Sequence, residues 1–101
     1  MRACALADIP VEGAIKVNLD GIDICLARSE GEVFAINDTC SHADVSLAEG
    51  DVEDGTVECW LHGSRFDLRT GAPIGLPATR SVPTYPVTVI GDDVFLKLEK
   101  K

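Results

Sequence analysis

The sequence predicts an all-β fold, and three observations support that prediction. Turn pairs that end in glycine, Asp20-Gly21, Glu30-Gly31 and Asp54-Gly55, separate short apolar segments. Turns of this kind, several of them about ten residues apart, are typical of β-hairpins. No stretch keeps a helical period of apolar residues over several turns. Hairpins at this spacing indicate a small antiparallel sandwich or barrel.

Five segments between the turns are predicted to be strands, because short apolar runs, in places alternating, lie there. They cover residues 14–19, 22–28, 32–37, 86–90 and 93–98. In the second segment, Ile22, Ile24 and Leu26 are expected on one face. The last two segments are expected to pair across the turn at Gly91. Residues 46–49 are predicted to form at most one helical turn.

The length and composition predict a single domain that spans residues 1–101. A chain of 101 residues, 46% of them hydrophobic and 26% charged, has ordinary globular values. No apolar run approaches the roughly 18–20 residues of a membrane span. Asp8 and Pro10 interrupt the region in which a signal peptide needs apolar residues. These features predict a soluble, cytoplasmic protein.

The net charge of −8 argues against partners that are themselves anionic. The general field of such a chain repels nucleic acids and anionic membranes, whereas a basic protein surface attracts it. We therefore expect no nucleic acid and no membrane as a partner. Five acidic residues are concentrated in one stretch of the chain, namely Glu49, Asp51, Glu53, Asp54 and Glu58.

Two of the four cysteines, Cys4 and Cys25, stand alone in apolar, strand-like surroundings. Isolated cysteines of this kind are usually buried and behave as small hydrophobic residues. A Cys4–Cys25 disulfide is compatible with the sequence, but a reducing compartment argues against it.

The other two cysteines each stand close to a histidine, in Cys40-Ser41-His42 and in Cys59-Trp60-Leu61-His62. The chain has two histidines, and both belong to these Cys/His boxes. The acidic stretch lies between the boxes. The candidate metal ligands are Cys40, His42, Cys59 and His62.

Two metal centres fit this set of ligands. Two thiolates and two imidazoles can hold one zinc ion tetrahedrally. Zinc fingers, however, usually group the two cysteines and the two histidines separately, and a Cys-x-His step is short for two ligands of one ion. A [2Fe–2S] cluster explains the alternation better, because each loop can send its cysteine to one iron and its histidine to the other.

The residues that follow the second box extend the pattern. The pattern continues through the overlapping stretches 63–67 and 66–71. Gly75-Leu76-Pro77-Ala78 comes next. Together with both boxes, this pattern resembles the Rieske-type ferredoxin family, most closely the ferredoxins that serve bacterial aromatic-ring dioxygenases. The resemblance implies a Rieske β-sandwich with a small cluster-binding subdomain at about residues 39–80.

The same resemblance implies the cofactor and the roles of its ligands. The cofactor is a Rieske-type [2Fe–2S] cluster, in which Cys40 and Cys59 ligate an inner iron. His42 and His62 ligate an outer iron near the protein surface. The loop at residues 75–78 covers a third side of the cluster.

The chain departs from the high-potential members of the Rieske family at three positions. Val45 and Leu61 stand where those proteins carry two further cysteines, so the disulfide between the loops is absent. Phe66 stands where they carry a tyrosine hydroxyl, while Ser64 keeps a serine hydroxyl. We expect a low-potential cluster, with Ser64 either bonded to it or facing water. Phe66 is expected to pack beneath the loops, and Trp60 to pack rather than serve as a docking contact.

The sequence therefore predicts an electron carrier and not an enzyme with a substrate of its own. It is expected to take single electrons from a ferredoxin reductase and pass them, as a monomer, to a terminal oxygenase. A ferredoxin for another pathway, such as iron–sulfur assembly, is one alternative. Another is the small Rieske subunit of a nitrite-reductase-like enzyme, which would need a large apolar surface patch.

Overall fold

The computed structural model describes residues 2–39, 45–60, 63–74 and 80–97. Three of the predicted ligands, Cys40, His42 and His62, lie outside these residues. Within them the chain forms three antiparallel sheets and two 3-10 turns, Leu6–Asp8 and Leu47–Glu49. The strands in chain order are β1 (Arg2–Ala5), β2 (Gly13–Leu19), β3 (Ile22–Ser29), β4 (Glu32–Asn37), β5 (Val52–Glu53), β6 (Thr56–Glu58), β7 (Arg65–Asp67), β8 (Thr84–Tyr85), β9 (Val87–Ile90) and β10 (Asp93–Leu96).

The largest sheet has the order β2-β3-β4-β8 and confirms the first three predicted strands. Its first two hairpins turn at Asp20-Gly21 and Glu30-Gly31. Both residues of each pair have positive φ, between 54° and 82°. Type I′ turns need this conformation at both central positions, and they match the twist of the flanking strands. The glycine pairs therefore set the register of this sheet.

Strands β3 and β4 separate two apolar cores. Ile24, Leu26 and Ala35 belong to one core, whereas Cys25 and Ile36 belong to the other. Successive side chains of a strand point to opposite faces, so both faces of this sheet are covered. The expectation of one apolar face on β3 is therefore incomplete: Ile24 and Leu26 are buried, and so is the opposite face.

One face of the large sheet is covered by a second sheet, of order β1-β10-β9. The predicted C-terminal hairpin around Gly91 is confirmed, although β10 ends at Leu96, before the predicted limit. Strand β1 was not predicted from the sequence. It pairs with β10, with Cys4 opposite Val94. Cys4 and Cys25 are buried and free, which confirms their predicted packing role and excludes a bridge between them.

The third sheet, β5-β6-β7, lies against the other core and positions the candidate site. Val57 of the central strand pairs with Val52 on one side and with Phe66 on the other, and all three are buried. The 3-10 turn Leu47–Glu49 confirms the single helical turn predicted there. Within the described ranges, no helix is long and apolar enough to cross a membrane.

Candidate metal centre

Cys59 lies directly after β6 and begins a tight loop. Its thiol-bearing side chain is fully buried. The backbone N–H of Cys59 donates to the carbonyl of Ser64 at 2.6 Å, and the N–H of Gly63 donates to the carbonyl of Cys59 at 2.9 Å. Gly63 has a φ of 79°, which suits glycine. The second Cys/His box is therefore closed at its base by backbone hydrogen bonds.

The segment that carries the first box is closed in a similar way. Thr39 and Ser46, at its two ends, form an isolated β-bridge. Asp38 fastens the same point: its carbonyl accepts from the N–H of Leu47 at 2.6 Å, and its Oδ1 accepts from the N–H of Ala48 at 2.9 Å. The backbone that enters the segment therefore meets the backbone that leaves it. Cys40 and His42 follow directly from this anchored base in the chain.

A third segment begins and ends beside β7. The N–H of Ile74 donates to the carbonyl of Arg65 at 2.7 Å, and the N–H of Val82 donates to the carbonyl of Gly71 at 2.9 Å. Residues 75–79, which hold the predicted third loop, lie outside the described residues. One flank is therefore anchored to β7 and the other to Gly71, which follows that strand.

One apolar core joins the bases of all three segments. Its buried members include Leu47 after the first, Cys59 and Phe66 around the second, and Val82 after the third. Phe66 is fully buried, which confirms its predicted position beneath the loops. The described residues that flank the two Cys/His boxes, which are distant in the chain, therefore pack in one apolar core.

Two further residues of the second box differ in exposure. Trp60 is 51% exposed, so the prediction that it packs against the protein was wrong. Ser64 is fully buried, which removes the possibility that it faces water. Ile74, before the third segment, is 54% exposed. An indole in the second box and an isoleucine side chain before the third segment therefore meet solvent.

The charged residues near these segments leave the surface acidic. Arg65 forms ion pairs with Glu53 at 3.4 Å and with Glu58 at 3.7 Å. Arg69 pairs with Glu32 at 2.8 Å and lies 5.2 Å from the centre of the Phe34 ring. Glu49 and Asp51, next to the first segment, are exposed. These arginines are therefore already matched by carboxylates.

The described residues include only one of the four predicted cluster ligands, Cys59. No group of three or more His, Cys, Asp or Glu side chains in the described ranges could hold a metal ion, as expected when three of the four predicted ligands lie outside them. What is described fits a cluster with thiolate ligands. A buried, unbridged thiol, Cys59, stands at a loop base, and a buried hydroxyl, Ser46 Oγ, has no hydrogen-bond partner.

Comparison with known proteins decides the family. Residues 1–86 match the Rieske [2Fe-2S] domain. The chain belongs to the Rieske [2Fe-2S] domain family. It is 46% identical over 97 residues to the 3-phenylpropionate/cinnamic acid dioxygenase ferredoxin subunit of Escherichia coli strain K12, covering 95% of this chain and 91% of that subunit.

Solved Rieske ferredoxins have the same fold. The ferredoxin of carbazole 1,9a-dioxygenase from Nocardioides aromaticivorans IC177 superposes with a TM-score of 0.90 at 34% identity, covering 95% of this chain and 94% of that one. A chain in the complex of reduced oxygenase and oxidised ferredoxin of carbazole 1,9a-dioxygenase superposes with a TM-score of 0.92 at 31% identity, covering 100% and 94%. The predicted Rieske fold, [2Fe–2S] cofactor and electron-carrier role are confirmed.

Proposed function

We propose that this Rieske ferredoxin passes single electrons from a ferredoxin reductase to the terminal oxygenase of an aromatic-ring dioxygenase system. The observation that carries the proposal is the 46% identity, over 95% of the chain, to a dioxygenase ferredoxin subunit. A similar fold occurs in a complex of an oxygenase with its ferredoxin. The buried Cys59 beside the exposed Trp60 suits a carrier whose redox group must lie close to a docking surface.

The proposed ligands are Cys40 and Cys59 for one iron and His42 and His62 for the other. When bound, the cluster supplies reversible one-electron chemistry. The described residues at the two ends of each box are joined by backbone hydrogen bonds or a β-bridge. We assign residues 39–80 to a cluster-binding subdomain of a single domain at residues 1–101, because the anchored segments and the β5-β6-β7 sheet lie within that range.

We further propose a low reduction potential. A hydrogen bond to a cluster sulfur favours the reduced cluster, because reduction adds negative charge. Phe66 is buried and has no hydroxyl to offer, and Val45 and Leu61 cannot form a disulfide. We expect a midpoint on the order of zero or below, in the lower half of the approximate Rieske range of −150 to +300 mV. A midpoint above about +100 mV in a redox titration would contradict this expectation.

The partners are proposed to present basic surfaces to this acidic chain. With a net charge of −8 and exposed acids beside the first segment, encounter is accelerated by electrostatic attraction. An electron carrier must also leave its partner quickly, which suits a small interface. We propose a monomer that works in the cytoplasm and docks in turn to the reductase and the oxygenase.

The other candidates differ in their partners rather than in their cofactor. A ferredoxin for iron–sulfur assembly would reduce a different acceptor, and a nitrite-reductase-like subunit would stay bound to its enzyme. Purification from the native cell distinguishes them. A stable, stoichiometric complex through gel filtration would favour the fixed subunit. A free ferredoxin that supports a dioxygenase but no other acceptor would favour the proposed function.

The ligand assignment is tested by two cysteine substitutions of the same kind. Cys59→Ala is expected to lose the red-brown colour, the iron and the acid-labile sulfide. Cys4→Ala, which alters a buried cysteine in the β1-β10-β9 sheet, is expected to keep all three. Equal iron and sulfide in the unaltered protein support the cluster, whereas a colourless, zinc-loaded protein contradicts it. Full iron content in Cys59→Ala would contradict the ligand set.

A further inference from the structure

Ser46 carries a hydroxyl that has no assigned role. Its Oγ atom is buried and has no hydrogen-bond partner among the residues that the structure describes. A buried polar group without a partner costs about 1–3 kcal/mol, so proteins rarely retain one without a reason. The hydroxyl of Ser46 is therefore expected to meet a partner that becomes available when the protein is complete.

The usual role of a serine at this position is performed by another residue. Ser46 directly precedes the 3-10 turn Leu47–Glu49, where a serine side chain commonly caps the free backbone N–H groups. No such side-chain bond is made. Asp38 accepts those bonds instead, from Leu47 through its carbonyl at 2.6 Å and from Ala48 through Oδ1 at 2.9 Å. The Ser46 hydroxyl is consequently not needed for capping.

The position of Ser46 indicates which partner is missing. Its backbone pairs with Thr39, the residue before the proposed ligand Cys40. Leu47, the next residue in the chain, shares its apolar core with the proposed ligand Cys59. The acceptors that cluster assembly adds to this region are cysteine thiolates and inorganic sulfides, both of which carry negative charge.

We propose that Ser46 donates a hydrogen bond from its hydroxyl to a sulfur atom of the cluster, either a ligand thiolate or a bridging sulfide. The proposal rests on the ligand set given under the proposed function. The bond strengthens on reduction, because the added electron makes the sulfur atoms more negative. Ser46 therefore raises the reduction potential and partly compensates for the hydroxyl that Phe66 lacks.

The test compares reduction potentials of purified, cluster-loaded proteins. In Ser46→Ala, loss of the bond is expected to favour the oxidised state by roughly two- to tenfold. At about 59 mV per tenfold for one electron, the midpoint falls by about 20–60 mV. Ser81→Ala removes the hydroxyl of an exposed serine and is expected to leave the midpoint unchanged. Iron and sulfide contents are measured on every sample.

A second pair of variants separates the hydroxyl from the shape of the side chain. Ser46→Thr keeps the hydroxyl and Ser46→Val replaces it with a methyl group of similar size. Ser46 has extended backbone angles, φ −81° and ψ 123°, which β-branched residues tolerate. The threonine variant is expected to keep the native midpoint potential. The midpoint potential of the valine variant is expected to fall as far as that of Ser46→Ala. In D2O, iron–sulfur vibrations in resonance Raman spectra are expected to shift less in the valine variant than in the threonine variant.

Each outcome has one interpretation. Iron-loaded Ser46→Ala or Ser46→Val with the native midpoint and native D2O shift overturns the proposal and leaves the ligand set intact. An equal decrease of the midpoint potential in the threonine and valine variants also overturns the proposal, because it would assign the effect to side-chain packing. An unaltered protein without iron and sulfide contradicts the proposed ligand set itself.

Discussion

The hydroxyl of Ser29 accepts a hydrogen bond from the backbone N–H of Gly55 at 2.8 Å and thereby joins the large sheet to the β5-β6-β7 sheet, which leads to the proposed ligand Cys59. Ser29 is buried at the end of β3, and Gly55 forms the turn between β5 and β6. The same hydroxyl donates to the carboxylate of Glu12 at 3.0 Å, while the N–H of Leu68 donates to the carbonyl of Gly55 at 2.9 Å. One side chain therefore links three segments of the chain.

Replacing Ser29 tests the value of this link. Ser29→Ala leaves the N–H of Gly55 and the carboxylate of Glu12 without this partner, so we expect the free energy of unfolding to fall by about 1–3 kcal/mol. Urea denaturation followed by far-UV circular dichroism measures the difference. Ser81→Ala, at an exposed serine, is expected to change stability by less than about 0.5 kcal/mol. Equal stability of the two variants would contradict the role assigned to Ser29.

Gly71 is predicted to be indispensable for the anchoring of the third segment. It has a φ of 77°, and a Cβ atom there would collide with the carbonyl oxygen of Val82. Gly31 has a similar φ of 80°, but a Cβ atom there would meet no other atom within 4 Å. Gly31→Ala is therefore expected to lower the free energy of unfolding only by the strain of an alanine at positive φ, about 1–2 kcal/mol. Gly71→Ala should cost more than that, in the range above about 3 kcal/mol that marks severe core changes.

The Gly71 and Gly31 variants are compared by denaturation and by the rate at which the cluster colour bleaches in urea. Gly71→Ala is expected to bleach faster, because Gly71 bonds to Val82 at the base of the third segment. If both alanine variants lose the same free energy of unfolding, the collision with Val82 does not contribute and the loss comes from backbone strain alone.

Cys25 predicts a pH dependence of stability. Burial, and to a smaller extent the nearby Asp38 carboxylate, raises the pKa of its thiol well above the ordinary range. A thiol in the unfolded chain loses its proton near pH 8.5, whereas the folded protein keeps Cys25 protonated. The contribution of the Cys25 thiol to the free energy of unfolding is therefore fully present below about pH 8.5. Above that pH it falls by up to about 1.4 kcal/mol per pH unit.

The Cys25 contribution is isolated by comparing the unaltered protein with Cys25→Ala. Urea denaturation between pH 7.5 and pH 10 should give a shallower alkaline loss of stability in the variant. The alanine variant is expected to be less stable at neutral pH, because it removes buried volume, but that offset does not depend on pH. Parallel pH profiles for the two proteins would show that Cys25 titrates alike in the folded and unfolded chains.

Trp60 is expected to be a docking contact. It is 51% exposed beside the proposed ligand Cys59, and large exposed aromatic residues often dominate the binding energy of an interface. Trp60→Ala should weaken binding to the oxygenase by about 2 kcal/mol, roughly thirtyfold, with little change in protein stability. Ile90→Ala is the control, since Ile90 is 62% exposed but belongs to the β1-β10-β9 sheet. An equal loss of affinity in both variants would argue against a docking surface at Trp60.

Two aspartates at opposite ends of the β5-β6 hairpin test electrostatic docking. Both are exposed, but the carbonyl of Asp51 accepts from Glu58 next to Cys59, whereas Asp54 lies in the turn at the far end. We expect Asp51→Asn to slow reduction by the reductase at low salt more than Asp54→Asn. High salt should slow the unaltered protein and remove the difference, because it screens exposed charges beyond about 10 Å at 0.1 M. A rate that is the same at all salt concentrations would contradict charge-steered encounter.

The sequence by itself determined five of the described strands, β2, β3, β4, β9 and β10, together with their hairpin turns and the two Cys/His boxes of this ferredoxin. Alternating apolar residues and glycine pairs with positive φ act within a few residues, so a local pattern is sufficient to predict them. The order of cysteine and histidine was likewise enough to favour two inequivalent irons over one zinc ion. These features depend only on residues that are close together in the sequence, so they can be predicted without the tertiary structure.

The tertiary structure alone decided which side chains the site can use. It paired β1 with β10, where Arg2 bonds to Asp93 across 91 positions of sequence. It buried Ser64, exposed Trp60, and gave the capping role to Asp38, so that the Ser46 hydroxyl was left without a hydrogen-bond partner among the described residues. Burial and hydrogen bonding of this kind depend on residues far apart in the chain, and no local pattern contains them.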